Sequence, residues 1–218
     1  MRVLILVDLQ NDFMPGGALP VPHGDAVVPV ANSLVKLFDV VVATQDWHPR
    51  EHVSFASCHP GAIPGSMIDL AGFRQELWPD HCVEDTLGAE LHTDLSQNDI
   101  ARIFRKGSDP SIDSYSAFFD SAYQKSTGLA DFLHDRKANE LYFMGLATEY
   151  CVKFSALDAV SLGFAVHVIK DGCCGIDSRV GDVKDAFATM TAAGVNIISS
   201  QEVMRRFLKR RSTNTSRD

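Results

Sequence analysis

Cys151 stands where a nucleophile would. An apolar run, Leu141-Tyr142-Phe143-Met144, leads through Gly145 into a helix-like stretch over residues 149–162 that stops at Gly163. Strand, tight turn and helix place the thiol in a first helical turn, where unpaired N–H groups and the positive dipole end favour a thiolate. The same N–H groups can hold the oxyanion that a thiolate attack creates. Asp8 and Lys106 are partners such a thiol needs. A carboxylate can take the thiol proton and later pass it to a leaving amine, and an ammonium offsets the gathering negative charge. Taken singly, each residue has a plainer structural reading: Cys151 as a small buried hydrophobe, Asp8 as a turn cap, Lys106 as a surface lysine.

Asp46 and His48 form a second pair. Two residues apart on an extended segment, they point to the same side, so a carboxylate oxygen and an imidazole nitrogen can share one divalent metal. A third ligand must come from elsewhere. His81, in Trp78-Pro79-Asp80-His81-Cys82, is the preferred candidate, with His52 and His59 as competitors. The D-x-H spacing is a weak signal, and Cys82 has no C-x-x-C partner to support a zinc-type Cys/His site. Phe13, Trp78 and Tyr115 are aromatic residues in loops, able to flank a flat ring or simply to anchor their loops.

The elements that must position these residues alternate. Residues 3–7 and 40–43 read as buried strands and 100–104, 140–144, 165–169 and 195–198 as further strands, and helical periodicity covers 25–38, 149–162, 178–193 and 200–208, with part of a helix at 128–134. Such alternation predicts a doubly wound, Rossmann-like α/β fold with a mostly parallel sheet and helices on both faces. Between residues 47 and 99 the periodicity fades and His, Pro and Gly are dense; so long an irregular stretch in a compact domain points to function. In open α/β sheets the site lies at the carboxyl ends of the strands. Asp8, Asp46, Lys106 and Cys151 follow four different strands and are predicted to converge there.

The totals exclude several classes. The chain has 218 residues, 45% hydrophobic and 22% charged, with net charge -8 from 20 basic and 28 acidic residues. That balance argues against nucleic-acid binding, and no apolar run approaches membrane-spanning length. The basic cluster Arg205, Arg206, Lys209, Arg210, Arg211 reads as a solvated helix end. One domain is expected over 1–211, with 212–218 a disordered tail. Five cysteines without framework spacing, and an N-terminus that reads as a strand, suit a cytoplasmic protein.

Six motifs in order make a resemblance specific. They are Val7-Asp8-Leu9-Gln10-Asn11-Asp12-Phe13, Thr44-Gln45-Asp46-Trp47-His48-Pro49, Trp78-Pro79-Asp80-His81-Cys82, Arg105-Lys106-Gly107, Asp113-Ser114-Tyr115-Ser116-Ala117-Phe118 and Gly145-Leu146-Ala147-Thr148-Glu149-Tyr150-Cys151-Val152. Together, over nearly the whole chain, they closely resemble the nicotinamidase (pyrazinamidase) branch of the isochorismatase-like cysteine hydrolases. The resemblance implies a catalytic triad of Asp8, Lys106 and Cys151, and one divalent metal, zinc before iron or manganese, on Asp46, His48 and His81. It further implies an oxyanion hole from the Ala147 and Cys151 backbone N–H groups, a cis peptide before Ala147, and Phe13, Trp78 and Tyr115 around the substrate ring. The implied reaction is hydrolysis of nicotinamide, and of pyrazinamide, through a thioester, in NAD salvage. A homo-oligomer is admitted but not specified. His52 matches a histidine that some members place near the metal, and Cys173-Cys174 has no implied role. An amidase acting on a ureido or carbamoyl substrate is the nearest rival, although such relatives generally lack the D-x-H pair. A non-catalytic binding protein on the same fold is the rival from another class.

Overall fold

The computed structural model describes residues 1–70 and 73–214. Six parallel strands form the central sheet in the order β5-β2-β1-β6-β7-β8: β1 (Arg2–Val7), β2 (Val40–Asp46), β5 (Arg102–Lys106), β6 (Glu140–Gly145), β7 (Ala165–Cys173) and β8 (Asn196–Ile198). A short antiparallel hairpin, β3 (Met67–Leu70) with β4 (Phe73–Glu76), stands apart. The chain winds outward from β1 through β2 to β5, then returns to lay β6 on the other side of β1. The crevice at that reversal is where open α/β sheets bind ligands, because the flanking loops splay apart.

The period-two alternation of β1 sorts its side chains between two cores. Val3, Ile5 and Val7 join Leu141, Phe143 and helices α2 (Leu129–Asp135), α3 (Lys153–Ser161) and α4 (Asp182–Ala192) on one face. Leu4 and Leu6 join Tyr142, Met144 and helices α1 (Val27–Leu34) and α5 (Ser200–Asn214) on the other. Both faces are therefore covered, which is why β1 and β6 read as continuous apolar runs. Among the described residues no helix is long and apolar enough to cross a membrane.

The differences from the sequence reading are local. The predicted helix over 178–193 begins only at Asp182, because Gly181 has φ +106 and breaks the helical path. The strand predicted over 100–104 is β5, so Lys106 ends the strand, and Asp46 likewise ends β2, instead of following it. Cys151 sits on a π-helical turn, Thr148–Val152, that runs into α3. The β3–β4 hairpin was not legible within the irregular stretch. Residues 212–214, expected in a disordered tail, continue α5, and 215–218 lie outside the described residues.

Phe143 is fully buried at the centre of the sheet. Phe143→Ala is expected to lower unfolding free energy by about 3–5 kcal/mol, measured by urea denaturation. A change near zero would contradict this placement of the core.

Candidate active site

The strand ends bring Asp8, Asp46, Lys106 and Cys151 together. Lys106 Nζ lies 2.6 Å from Asp46 Oδ1, 3.0 Å from Asp8 Oδ2 and 3.3 Å from Cys151 Sγ, and it donates to the Ser114 carbonyl at 3.0 Å. Its side chain is wholly buried. Asp46 and Lys106 are register partners across β2 and β5, which accounts for their contact. Asp8 directly follows β1, which pairs with β6, the strand that leads to Cys151. A carboxylate oxygen from each of Asp8 and Asp46 and the Cys151 sulfur lie within 4.8 Å of one another.

Burial sets the electrostatics. It disfavours the Lys106 ammonium, but Asp46 and Asp8 overcome the penalty and hold Lys106 charged well above its ordinary range. Burial pushes the Asp8 carboxyl up, and Lys106 and Thr44 only partly pull it back. Burial also pushes the Cys151 thiol well up, with Lys106 opposing and Asp8 and Asp46 reinforcing the rise. The lowered thiol pKa expected from a helix end is therefore not what the resting site has. Its resting form is the thiol, so a proton acceptor is required, and Asp8 is the raised carboxylate beside it.

Local hydrogen bonds hold this arrangement. The Thr44 hydroxyl donates to Asp8 Oδ1 at 2.6 Å, while the Asp8 N–H donates back to Thr44 Oγ1 at 3.2 Å. Asp8 has φ +51, in the left-handed region where Asp is among the better tolerated residues. The Gln10 amide grips the backbone of Asp46 twice, donating to its carbonyl at 2.7 Å and accepting its N–H at 2.8 Å. Gly107 has φ +64, and a Cβ there would come within 2.4 Å of the His48 ring. None of these supporting roles was visible in the sequence, where Gln10, Thr44 and Gly107 stood only as members of motifs.

Asp46, His48 and His81 each offer a ligand atom within 4.8 Å of the others. His48 Nδ1 lies 2.8 Å from the Gly107 carbonyl and His81 Nδ1 lies 2.8 Å from the Pro79 carbonyl. A carbonyl only accepts, so both Nδ1 atoms carry the proton and both Nε2 atoms keep a free lone pair. Burial, then the neighbouring histidine (His52 for His48, His48 for His81), lowers their pKa values to about 3 and about 4, so both are neutral near pH 7. That donor set fits a divalent ion. Of the competitors, His59 is turned to the Val53 carbonyl at 2.7 Å and belongs to none of the metal-competent groups among the described residues. The His52 ring lies 4.2 Å from that of His48, tilted by 34°, and His52 forms a second group with His48 and Asp113. Cys82 belongs to no such group among the described residues and is packed in the core.

A cleft is lined by Phe13, Trp78, Tyr115 and Ala147 together with Asp46, His48, His81 and Cys151. Trp78 Nε1 donates to the Tyr115 hydroxyl at 3.0 Å, which fixes the two rings together. Tyr150, Leu19, Ile176 and Asp113 also line it, and no periodicity or spacing singled them out. The Leu146–Ala147 peptide is cis. The Ala147 carbonyl accepts the N–H groups of Tyr150 and Val152, passing over that of Cys151. Cys173 and Cys174 lie at the end of β7, and Cys174 is tied through its carbonyl to the Thr148 N–H.

The isochorismatase domain family matches residues 2–202, and the chain belongs to that family. Within the family its likeness is to nicotinamidases. The nicotinamidase of Escherichia coli (strain K12) is 52% identical over 200 residues, covering 90% of this chain and 93% of the relative. A solved nicotinamidase/pyrazinamidase from Acinetobacter baumanii superposes with a TM-score of 0.90 at 44% identity, covering 93% of this chain and 97% of that one. A Pyrococcus horikoshii pyrazinamidase, solved in complex with zinc, superposes with a TM-score of 0.75 at 38% identity, covering 91% and 98%.

Lys106→Met leaves two buried carboxylates without their cation, and is expected to destabilise the fold by about 3–5 kcal/mol near pH 7. Asp8 already has a folded pKa above its unfolded value, and losing Lys106 raises it further. The penalty therefore grows as pH rises through that value and shrinks in acid, where Asp8 is protonated. Urea unfolding of both proteins across a pH series from acid to neutral measures it. A penalty that does not change with pH would contradict the assignment.

Proposed function

We propose that the protein hydrolyses nicotinamide to nicotinate and ammonia, and pyrazinamide to pyrazinoate, by way of a Cys151 thioester. The observation that carries this reading is the Lys106 ammonium, 3.3 Å from Cys151 Sγ and 3.0 Å from Asp8 Oδ2 in a buried site. The likeness to nicotinamidases supports the choice of substrate.

Asp8 accepts the Cys151 thiol proton, and Lys106 stabilises the ion pair's negative charge as the sulfur attacks the carboxamide carbon. The Ala147 and Cys151 N–H groups receive the oxyanion. Asp8 then gives its proton to the amide nitrogen, the C–N bond breaks, and ammonia departs. Asp8, again ionised, takes a proton from water as that water attacks the thioester carbonyl. The C–S bond breaks, the proton returns to sulfur, and nicotinate leaves with the thiol restored. Phe13, Trp78 and Tyr115 hold the flat ring and exclude bulk water. Asp46, His48 and His81 would hold one divalent ion, zinc before iron or manganese, which when bound supplies a Lewis-acidic partner for the ring nitrogen. A zinc-bound pyrazinamidase among the relatives supports the metal. The product is a free carboxylic acid suited to NAD salvage, and five free thiols suit the cytoplasm.

Purified protein is expected to release ammonia from nicotinamide. Cys151→Ala should cut kcat/KM by about a thousandfold or more while keeping the wild-type circular dichroism. His48→Ala should lose bound metal by elemental analysis. Wild-type turnover by Cys151→Ala would refute the nucleophile, and unchanged metal content in His48→Ala would refute the ligand. No ammonia from either amide by metal-replete wild type would refute the substrate.

A further inference from the structure

Glu149 is buried two residues before Cys151, and the chemistry above does not use it. One carboxylate oxygen accepts the Asp177 N–H at 2.7 Å, while the other is buried with no hydrogen-bond partner. A carboxylate enclosed in this way must hold something worth its desolvation cost. What it holds is the segment after β7. That segment is pinned at two points to the turn that carries Cys151: the Thr148 N–H donates to the Cys174 carbonyl at 2.9 Å, and Asp177 donates to Glu149. Ile176 lies between the two pins and forms part of the cleft wall. Gly175 is needed beside it, because a Cβ there would fall 2.3 Å from the free Glu149 oxygen. On its far side Asp177 turns at φ +52 and accepts the N–H groups of Gly181 and Val183, tying the segment to the start of α4.

We propose that Glu149 is a positioning residue that sets the place of Ile176, and that Ile176 limits which ring-substituted pyridine carboxamides the site accepts. This rests on the amide-hydrolase reading and adds a selectivity device to it. Glu149 does not line the cleft. It acts through the backbone of residues 175–177, so its loss moves an apolar wall and leaves Asp8, Lys106 and Cys151 in place. An apolar wall displaced by about one methyl group changes discrimination by about tenfold.

The test compares Ile176→Ala, Glu149→Ala and Glu149→Gln on nicotinamide and on its four ring-methylated isomers. Glu149→Ala is expected to raise KM for nicotinamide about tenfold with kcat nearly unchanged. In Ile176→Ala and Glu149→Ala the same ring-methylated isomer should gain about tenfold in kcat/KM relative to nicotinamide. Glu149→Gln keeps the acceptor oxygen and should restore wild-type selectivity. A fall in kcat common to all amides with wild-type selectivity, or different favoured isomers in the two alanine variants, would overturn the proposal. So would failure of Glu149→Gln to restore selectivity. Amide hydrogen exchange supplies a readout that needs no turnover: the Asp177 N–H should exchange faster in Glu149→Ala and at the wild-type rate in Glu149→Gln. Wild-type protein inactive on nicotinamide would defeat the substrate reading, whereas unchanged exchange at Asp177 in Glu149→Ala would defeat this proposal by itself.

Discussion

One buried ammonium organises this molecule. Lys106 sits at the carboxyl end of β5 with two carboxylates, a carbonyl and a thiol around its nitrogen. Removing a cation from water is costly, and so is removing either carboxylate. Placed together, they offset much of that cost, and the remaining strain appears where chemistry can use it. Asp8 is pushed toward its protonated form and Cys151 is kept as a thiol. A raised Asp8 is a stronger base when ionised and, once it has taken the thiol proton, a holder of that proton for the leaving amine.

The fold serves that constraint. Four residues separated by as many as 143 positions meet only because parallel strands end on one side of the sheet and the winding reverses between β1 and β6. The two apolar cores fix the sheet, the sheet fixes the strand ends, the Thr44 hydroxyl fixes the Asp8 carboxylate, and the Gln10 amide fixes the backbone of Asp46. The metal-competent trio shares Asp46 with the ammonium, so the two halves of the site are electrostatically linked. His48 is held from behind by the Gly107 carbonyl, the residue directly after Lys106.

The parts legible in the sequence were those carried by strong, local signals. The apolar runs before Asp8 and Asp46 mark strands buried on both faces, the shorter run before Lys106 marks the half-exposed edge strand β5, and a glycine between an apolar run and a helical period marks the turn before Cys151. Among His52, His59 and His81, it is His81 that groups with Asp46 and His48. The supporting residues were not legible because their partners are remote in sequence: Gln10 reaches Asp46, Thr44 reaches Asp8, and Glu149 reaches Asp177. The β3–β4 hairpin has four-residue strands, too short for a periodic signal. The raised thiol was not legible because it comes from burial among remote segments, which here outweighs the helix end.

The central claim is that acyl transfer passes through Cys151. Rapid acid quenching of the protein during nicotinamide turnover, followed by mass spectrometry of its peptides, tests it most directly. The account predicts one nicotinoyl group on the peptide containing Cys151 and on no other. Sustained ammonia release with a nicotinoyl group on a different residue would contradict it.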